Sequence, residues 1–465
     1  MQRGERGIGS VLNNAPEKKG AVYVFGKNDR GQLGLGHTDS VTQPTINPLL
    51  PQGSVGVVQV AAGGYHCVAL TRDNKILTWG DNTDAQLGRN TQPGGNGAEV
   101  DFSDLNLPKD TVFTQVVATE SASFVLTEFG NVYGWGTFRE VFTTAQGVEK
   151  STTLGFRPQI TRQHTPVHIP ELQNVQRLAA GSQHILAQIA IDANNNNNGD
   201  DGDDNKPEYA VYAWGANKRG QLGYQVAARQ PGRRAGAPNS SLVPRLCALP
   251  ESTKYDAVVS IGAGSYHSFV TKIDGTVYAW GYNKHGQTGI HQGVNLLQHD
   301  SIVPLPVSVN SLSREQAWDI TGGDDHSIAI TSDNRCMSWG SLQSNVLGID
   351  QNMIAAANVV NDNTDPNNPR PAILKQPTLV PRTYKCMLAS AGPGHSIAVT
   401  RRVKDSLNQG IAHAWGSNKE CEVKDSSDSN GVNVPHAVNG GKDGLDKRSV
   451  IGAAAGKEFS VLLAD

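Results

Sequence analysis

Five histidines recur at one position of a short motif, A-G-x-x-H or G-G-x-x-H, and they are the first candidates for chemistry. They are His66, His184, His267, His326 and His395. Histidine titrates near neutral pH and suits general acid–base catalysis. Their periodic recurrence instead favours a structural role, in which each imidazole satisfies backbone groups within its own repeat unit. In one copy the intervening positions are Asp324 and Asp325, which are candidates for capping a turn or contacting a partner.

Motifs that mark bond chemistry are missing from the sequence. There is no G-x-x-x-x-G-K-[ST] phosphate loop, H-E-x-x-H zinc helix or G-x-S-x-G elbow. The Asp-rich stretch 199–204 lacks the spacing of a calcium loop, and the five cysteines include no C-x-x-C pair. We therefore expect no metal, no cofactor and no disulfide framework. A hydrolase whose site uses none of these motifs is a third hypothesis, behind the two given below.

Composition favours many short strands. The 465 residues include 51 glycines and 23 prolines, and no stretch keeps the apolar spacing of a long helix. The net charge of −3 gives no overall attraction to nucleic acid. The chain starts with no apolar targeting segment and contains no run long enough to span a membrane. We expect a soluble, intracellular, monomeric protein in which residues 1–20 form a flexible basic tail.

Two half-repeats organise the chain, and each occurs seven times. The first is a strand that ends in an aromatic residue and glycine, at 22–26, 76–80, 132–136, 211–215, 277–281, 336–340 and 412–416. The second is the histidine motif with the apolar strand after it, at 62–70, 118–126, 180–188, 263–271, 322–330, 391–399 and 455–463. Six of the seven tryptophans stand in the first half-repeat, which identifies a repeat architecture.

The order of the halves predicts a closed ring. The chain begins with a strand-end half and finishes with an opening half, so the last strands can pair with the first and leave no exposed sheet edge there. The sequence therefore predicts an all-β fold, a seven-bladed β-propeller over residues 21–465 that is closed by its N- and C-terminal strands. Turns of the G-Q-L-G type should return a leucine to the core. The Asn/Asp-rich insert 191–208 should be a disordered loop at a hairpin tip.

The A-G-x-x-H strands, V-Y-x-W-G strands and G-Q-L-G turns together resemble the repeat of the regulator-of-chromosome-condensation family. Three features resemble its Ran exchange-factor branch: VYGWGTFRE replaces the usual turn in the third blade, the second blade reads LGRNT, and a basic loop at 225–246 follows the fourth. The resemblance implies a β-wedge that opens at Phe138-Arg139. It also implies a nuclear, chromatin-associated protein that releases guanine nucleotide from the GTPase Ran without covalent chemistry.

The resemblance also implies which residues contact a partner. Carried over by motif position, they are Asp29, His66, Glu120, Phe138, Arg139, Gln183, Asp324 and Asp325. Gln183 and Asp325 stand where the family has an aspartate and a histidine. A basic loop that includes Arg229, Arg233, Arg234 and Arg245 suits DNA phosphates or an acidic histone surface. The alternative is a propeller scaffold that binds other proteins without exchange, but such scaffolds usually keep the regular turn in blade three.

Overall fold

The computed structural model shows a ring of seven antiparallel sheets. It describes residues 13–53, 55–90, 95–143, 149–191, 208–225, 240–250, 258–293, 296–298, 301–362, 370–404, 407–423, 428–440 and 443–465. Each sheet is one blade, and every blade contains one copy of each half-repeat. The predicted all-β, seven-bladed propeller is confirmed.

The first four blades each have four paired strands. Blade 1 contains β1 (Ala21–Gly26), β2 (Val41–Ile46), β30 (Val450–Ala455) and β31 (Phe459–Ala464). Blade 2 contains β3 (Val57–Ala62), β4 (His66–Thr71), β5 (Ile76–Gly80) and β6 (Gly95–Glu99). Blade 3 contains β7 (Phe113–Ala118), β8 (Ala122–Thr127), β9 (Val132–Gly136) and β12 (Gln163–His168). Blade 4 contains β13 (Val175–Ala180), β14 (His184–Ile191), β15 (Glu208–Gly215) and β16 (Arg245–Leu246).

The last three blades follow the same order, and blade 6 has one additional strand. Blade 5 contains β17 (Val258–Ala263), β18 (His267–Lys272), β19 (Val277–Tyr282) and β20 (Ile302–Ser308). Blade 6 contains β21 (Ala317–Gly322), β22 (His326–Thr331), β23 (Cys336–Ser341), β24 (Val359–Asp362) and β25 (Arg370–Leu379). Blade 7 contains β26 (Cys386–Ala391), β27 (His395–Lys404), β28 (Leu407–Asn418) and β29 (Asp428–Ala437).

Two elements lie outside this plan. The first is the blade-3 hairpin, made of β10 (Phe138–Thr143) and β11 (Glu149–Gly155), which pair only with each other as a separate two-stranded sheet. The second is a short helix, α1 (Asn310–Arg314), between blades 5 and 6. Single 3-10 turns occupy Ser103–Leu105, Ser240–Leu242, Gln343–Asn345, Gln351–Met353, Ala356–Asn358 and Leu445–Lys447. Among the described residues no helix has the length and apolarity to cross a membrane.

The ring closes in blade 1, as the offset of the half-repeats predicts. β1 lies between β2 and β31, with Ala21 opposite Ala464 and Gly26 opposite Phe459. The two ends of the chain are therefore hydrogen-bonded to each other along a full strand, which leaves no open edge between the first and last repeats.

Tryptophans and leucines of the repeats fill the spaces between blades. The six repeat tryptophans are almost completely buried, and so are Leu33, Leu87 and Leu222 of the G-Q-L-G-type turns, which confirms the prediction that these leucines return to the core. Trp135 shows the typical contact: its indole N–H donates to the backbone oxygen of Gln86, in the turn of the preceding blade, at 2.8 Å. Each such bond joins two neighbouring blades.

The repeat histidines also join blades, which corrects the expectation that each bonds within its own unit. Every one of the five lies within hydrogen-bond distance of a serine hydroxyl in the next blade: His66 with Ser123 (2.9 Å), His184 with Ser268 (2.8 Å), His267 with Ser327 (2.7 Å), His326 with Ser396 (2.8 Å) and His395 with Ser460 (3.0 Å). Ser123 in turn donates to the Gln86 oxygen at 2.9 Å, so His66 carries its proton on Nε2 and donates it. Burial lowers the pKa of His66 to about 4, which keeps the ring neutral.

Two of the seven blade junctions have no histidine–serine pair, and in each of them the histidine and the serine are both replaced. Where the histidine position is Ala122, the serine position of the next blade is Ile185, and where it is Phe459, the next blade has Cys67. Without a histidine, a buried hydroxyl would lose one of its hydrogen-bond partners, so an apolar or weakly polar residue fits better. The degraded repeats are therefore matched substitutions at two interfaces.

The N-terminal segment departs from the expected tail. Residues 13–20 run along the ring: the side-chain amide of Asn13 donates to the backbone oxygens of Thr127 (3.2 Å) and Val175 (2.8 Å), and Arg72 donates to the oxygen of Glu17 at 2.6 Å. Residues 1–12 lie outside the described part. The Asn/Asp-rich insert predicted at 191–208 is shorter at both ends, because Ile191 of β14 pairs with Glu208 of β15. Residues 192–207 also lie outside the described part of the chain.

Candidate partner-binding face

Loops between the first and second strands of the blades surround the ring axis on one side, here called the axial face. They are residues 63–65, 119–121, 181–183, 264–266, 323–325, 392–394 and 456–458. Backbone hydrogen bonds join successive loops, for example from the Glu120 N–H to the Ser182 oxygen at 2.8 Å. A cavity of about 310 Å³ opens at their centre. Because the third strand of each blade ends on the same side, the turns after it and the blade-3 hairpin also lie on this face.

Charged side chains of both signs line the axial cavity. They are Glu120, Lys150, Asp324 and Lys457. Lys457 Nζ lies 3.4 Å from Glu120 Oε1 and 5.3 Å from the ring centre of Tyr65. Burial by itself would lower the pKa of Lys457, but Glu120 and Tyr65 outweigh it and the pKa is raised. The ammonium group therefore stays charged and neutralises Glu120 in part.

Asp324 also lines the cavity, but its environment is different. Burial raises its pKa to about 6, against a hydrogen bond from Ser265, and the neighbouring carboxylates Asp325 and Glu120 add to the rise. The carboxylate is therefore poorly compensated within the described residues. A cationic group brought into the cavity would stabilise its charged form.

The base of the blade-3 hairpin packs in an aromatic cluster. Phe138 and Phe156, at its two ends, are buried with their rings 6.3 Å apart, and each stacks on Phe124 of β8 at about the same distance. Gly134 provides the room, because a Cβ there would lie 2.4 Å from Phe124 and 3.1 Å from Phe156. Other blades have alanine, serine or threonine, or valine in blade 1, at this position. The ring of Phe124 meets Trp214 edge-on, so this cluster replaces the histidine–serine pair at the junction of blades 3 and 4.

Polar contacts attach the hairpin to both neighbouring blades. On one side, Arg139 Nη1 lies 2.6 Å from Asp84 Oδ2 and Arg162 Nε lies 3.3 Å from Asp84 Oδ1. On the other side, the Arg139 backbone N–H donates to Gln183 Oε1 at 2.6 Å. The Gln183 amide then donates to Glu120 Oε2 at 3.0 Å. The start of the hairpin is thus connected by hydrogen bonds to the acidic residue of the cavity.

The predicted contact residues divide into exposed and buried ones. Glu120 and Arg139 remain partly accessible, with 29% and 33% of their side chains exposed, and Asp325 (39%) pairs with His285 Nδ1 at 2.8 Å. Asp29 is half exposed on the turn of blade 1, 3.8 Å from Lys27.

The other predictions need correction or cannot be placed. His66, Phe138 and Gln183 are completely buried, so none of the three can contact a partner directly in this structure. The first packs between blades, the second supports the hairpin, and the third connects the hairpin to Glu120. Arg229, Arg233 and Arg234 lie outside the described residues, while Arg245 is an exposed residue of β16.

Sequence reasoning missed several residues of this face. Arg30, Arg219, His285 and Asp84 occupy the same position, directly before the Gly or Ala of the G-Q-L-G-type turn. The first three contact the loop of the following blade: Arg30 lies over Tyr65 and Arg219 over Tyr266, both at 4.2 Å. Asp84 is acidic, and so is Glu420 at the equivalent position of blade 7. The residue type alone therefore did not single out Asp84.

The chain is similar to proteins of known sequence and structure. Residues 21–462 match the model of the RCC1-like domain. Protein pim1 of Schizosaccharomyces pombe is 31% identical over 98% of this chain and 77% of its own length, and guanine nucleotide exchange factor SRM1 of Saccharomyces cerevisiae is 26% identical over 95% and 86%. The crystal structure of Prp20p from S. cerevisiae, described with its binding properties to Gsp1p and histones, has a TM-score of 0.78 at 25% identity and covers 98% of this chain and 93% of that one.

The fold is a closed propeller in which one blade carries a separate two-stranded hairpin. The chain belongs to the RCC1-like family.

Proposed function

We propose that this protein is a guanine-nucleotide exchange factor for the small GTPase Ran. The observation that carries the proposal is the blade-3 hairpin, which replaces the regular turn of one blade and is hydrogen-bonded through Gln183 to Glu120 in the axial cavity. A relative of similar length is named a guanine nucleotide exchange factor, which supports the same assignment.

Exchange requires differential binding and no bond chemistry. A GTPase holds its nucleotide through backbone N–H groups of the phosphate loop, a lysine and Mg²⁺. The exchange factor must bind the empty GTPase more tightly than the loaded one, and the coupling is reciprocal. Weakening nucleotide binding by four to five decades requires roughly 5.5–7 kcal/mol, at about 1.4 kcal/mol per decade.

The axial face offers two groups for this task. The returning strand of the hairpin contributes Lys150 to the cavity wall, and we infer that the hairpin enters the nucleotide region of a partner bound over the axis. Glu120 and Asp324 supply carboxylates that attract a basic group, such as the phosphate-loop lysine once it has lost its phosphate. Removing that lysine from the nucleotide while stabilising its charge favours the empty GTPase.

Chromatin attachment is the second part of the proposal. The loop with Arg229, Arg233 and Arg234 has the composition that binds DNA phosphates or an acidic histone surface, and a structural relative was described with its binding to histones. Attachment would place exchange in the nucleus, at chromatin. The residues proposed for attachment differ from those of the hairpin, so substitutions can test either activity without the other.

Release of a fluorescent guanine nucleotide from Ran, compared with other small GTPases, tests the proposal. We expect rapid release from Ran alone, and Glu120→Ala to slow it about tenfold or more through loss of an attractive contact with the partner. Glu99→Ala is the matched control, because Glu99 is an exposed carboxylate paired with Lys75 at 2.8 Å in the outer strand of blade 2. Tight binding to Ran without release would favour the scaffold hypothesis, and no effect on Ran would refute the exchange function.

A further inference from the structure

We propose that Asp84, which lies in blade 2, is a positioning residue that holds both ends of the blade-3 hairpin in place. The inference rests on the proposed function for its effect on exchange, but its structural part concerns the free protein. Asp84 is 5% exposed, and its two carboxylate oxygens face two arginines from the neighbouring blade.

The two arginines mark the beginning and the end of the excursion. Arg139 is the second residue of β10, and Arg162 directly precedes β12, where the chain returns to the blade. One carboxylate thus bonds to the chain where it leaves blade 3 and where it rejoins it. Arg139 also donates from Nε to the Ser151 hydroxyl at 3.0 Å, which extends the connection to β11.

The turn around Asp84 keeps the backbone of the regular turns. The Asp84 N–H donates to Gln86 Oε1 at 2.8 Å, as the Arg30 N–H does to Gln32 Oε1, and Ala85 has a positive φ of 64°, as does the glycine found here in the regular turns. The equivalent residues Arg30 and Arg219 reach the next axial loop instead. The acidic side chain of Asp84 lets the blade-2 turn bond to both arginines of blade 3. The blade-4 turn reaches the hairpin through Lys218, whose Nζ lies 3.1 Å from Glu140 Oε2.

The hairpin needs such an attachment because two strands alone are marginally stable. The aromatic cluster fixes where the hairpin starts but contacts only its base. A buried carboxylate bonded to two arginines fixes its direction as well, since charge-assisted hydrogen bonds are short and directional. Catalysis by an inserted element depends on such placement, because a misplacement of about 1 Å is enough to lower a rate about a hundredfold.

The test uses Asp84→Asn in the full-length protein. We expect faster amide hydrogen exchange in residues 139–143 and 150–155 of the free protein. With Ran, we expect the maximal rate of nucleotide release to fall about tenfold while the KM for Ran changes less than about twofold, because the contact surface remains and only the hairpin's placement is lost. Arg162→Gln, which keeps the Arg139 pair, should give a smaller change in the same direction.

Asp81→Asn is the matched control for the hydrogen-exchange measurement. Asp81 is a buried aspartate of the same turn that pairs with Arg30 at 3.0 Å on the opposite side, so its loss should leave the hairpin's protection unchanged. Unchanged hairpin protection in both Asp84→Asn and Arg162→Gln would overturn the proposal, as would an unchanged maximal rate. If the wild-type protein released no nucleotide from Ran, the proposed function would fail, and the free-protein measurement would still decide the role of Asp84.

Discussion

Asp324 is a carboxylate in the axial cavity whose charge state depends on its surroundings. Its folded pKa of about 6 lies above the ordinary value of 3.8, so folding disfavours its charged form. This carboxyl group favours the folded state fully below its ordinary pKa of 3.8. That contribution to the free energy of unfolding is lost as the pH rises through the folded pKa of about 6. The residue therefore costs stability at neutral pH, which is typical of a group kept for binding.

Asp324→Asn should stabilise the free protein at pH 7.5 by about 1–3 kcal/mol, and this gain should disappear as the pH falls from about 6 to 4. Chemical denaturation of variant and wild type at each pH measures it. Asp333→Asn is the control: Asp333 is exposed, and hydrogen bonds from Thr331 and Arg335 lower its pKa, so no gain is expected. An equal gain at both pH values would contradict the assignment.

At the same scale, the sequence located some site residues and not others. Glu120 could be identified because it interrupts a repeat that has Gly64 at the equivalent position. The role of Gln183 could not, because its amide bonds to a backbone group of an excursion whose path the repeat does not specify. Burial of His66 and Phe138 likewise became visible only once the blades were packed against each other.

The histidine–serine pair is the element that joins blades, and its sequence signal is indirect. In three repeats the serine directly follows the histidine, yet it bonds to the histidine of the preceding blade. The histidine and its serine partner come together only because neighbouring blades pack side by side in the ring. A signal did exist, since both histidine-free repeats, at Ala122 and Phe459, are followed in ring order by a repeat that lacks the serine.

Two serines of blade 3 test the pair directly. Ser123→Ala removes the acceptor of the His66 Nε2 proton, and we expect a loss of about 1–3 kcal/mol in the free energy of unfolding. Ser121→Ala, two residues away, removes a buried hydroxyl that has no hydrogen-bond partner among the described residues, so it should be neutral or slightly stabilising. Denaturant unfolding compares them, and equal losses would show that the pair contributes nothing specific.

At the scale of the whole molecule, the repeat specifies the closed ring, and the irregular third blade carries the proposed function. Seven sheets, their order and their closure could be predicted, because each half-repeat specifies its own strands and the offset specifies the pairing of the ends. The course of residues 137–162 could not, because it depends on aromatic stacking and on Asp84 from another blade. The uniform part of the ring is a support, and the excursion carries the proposed activity.

The most direct test of this account is nucleotide release from Ran by a protein without its hairpin. Replacing residues 140–152 by Asn-Gly should preserve the ring, because Arg139 and Thr153 face each other in register and that dipeptide forms a tight turn. With an unchanged thermal midpoint, we expect the maximal release rate to fall about a hundredfold, or about 2.7 kcal/mol. A folded variant that released nucleotide as fast as the wild type would contradict the central role of the hairpin.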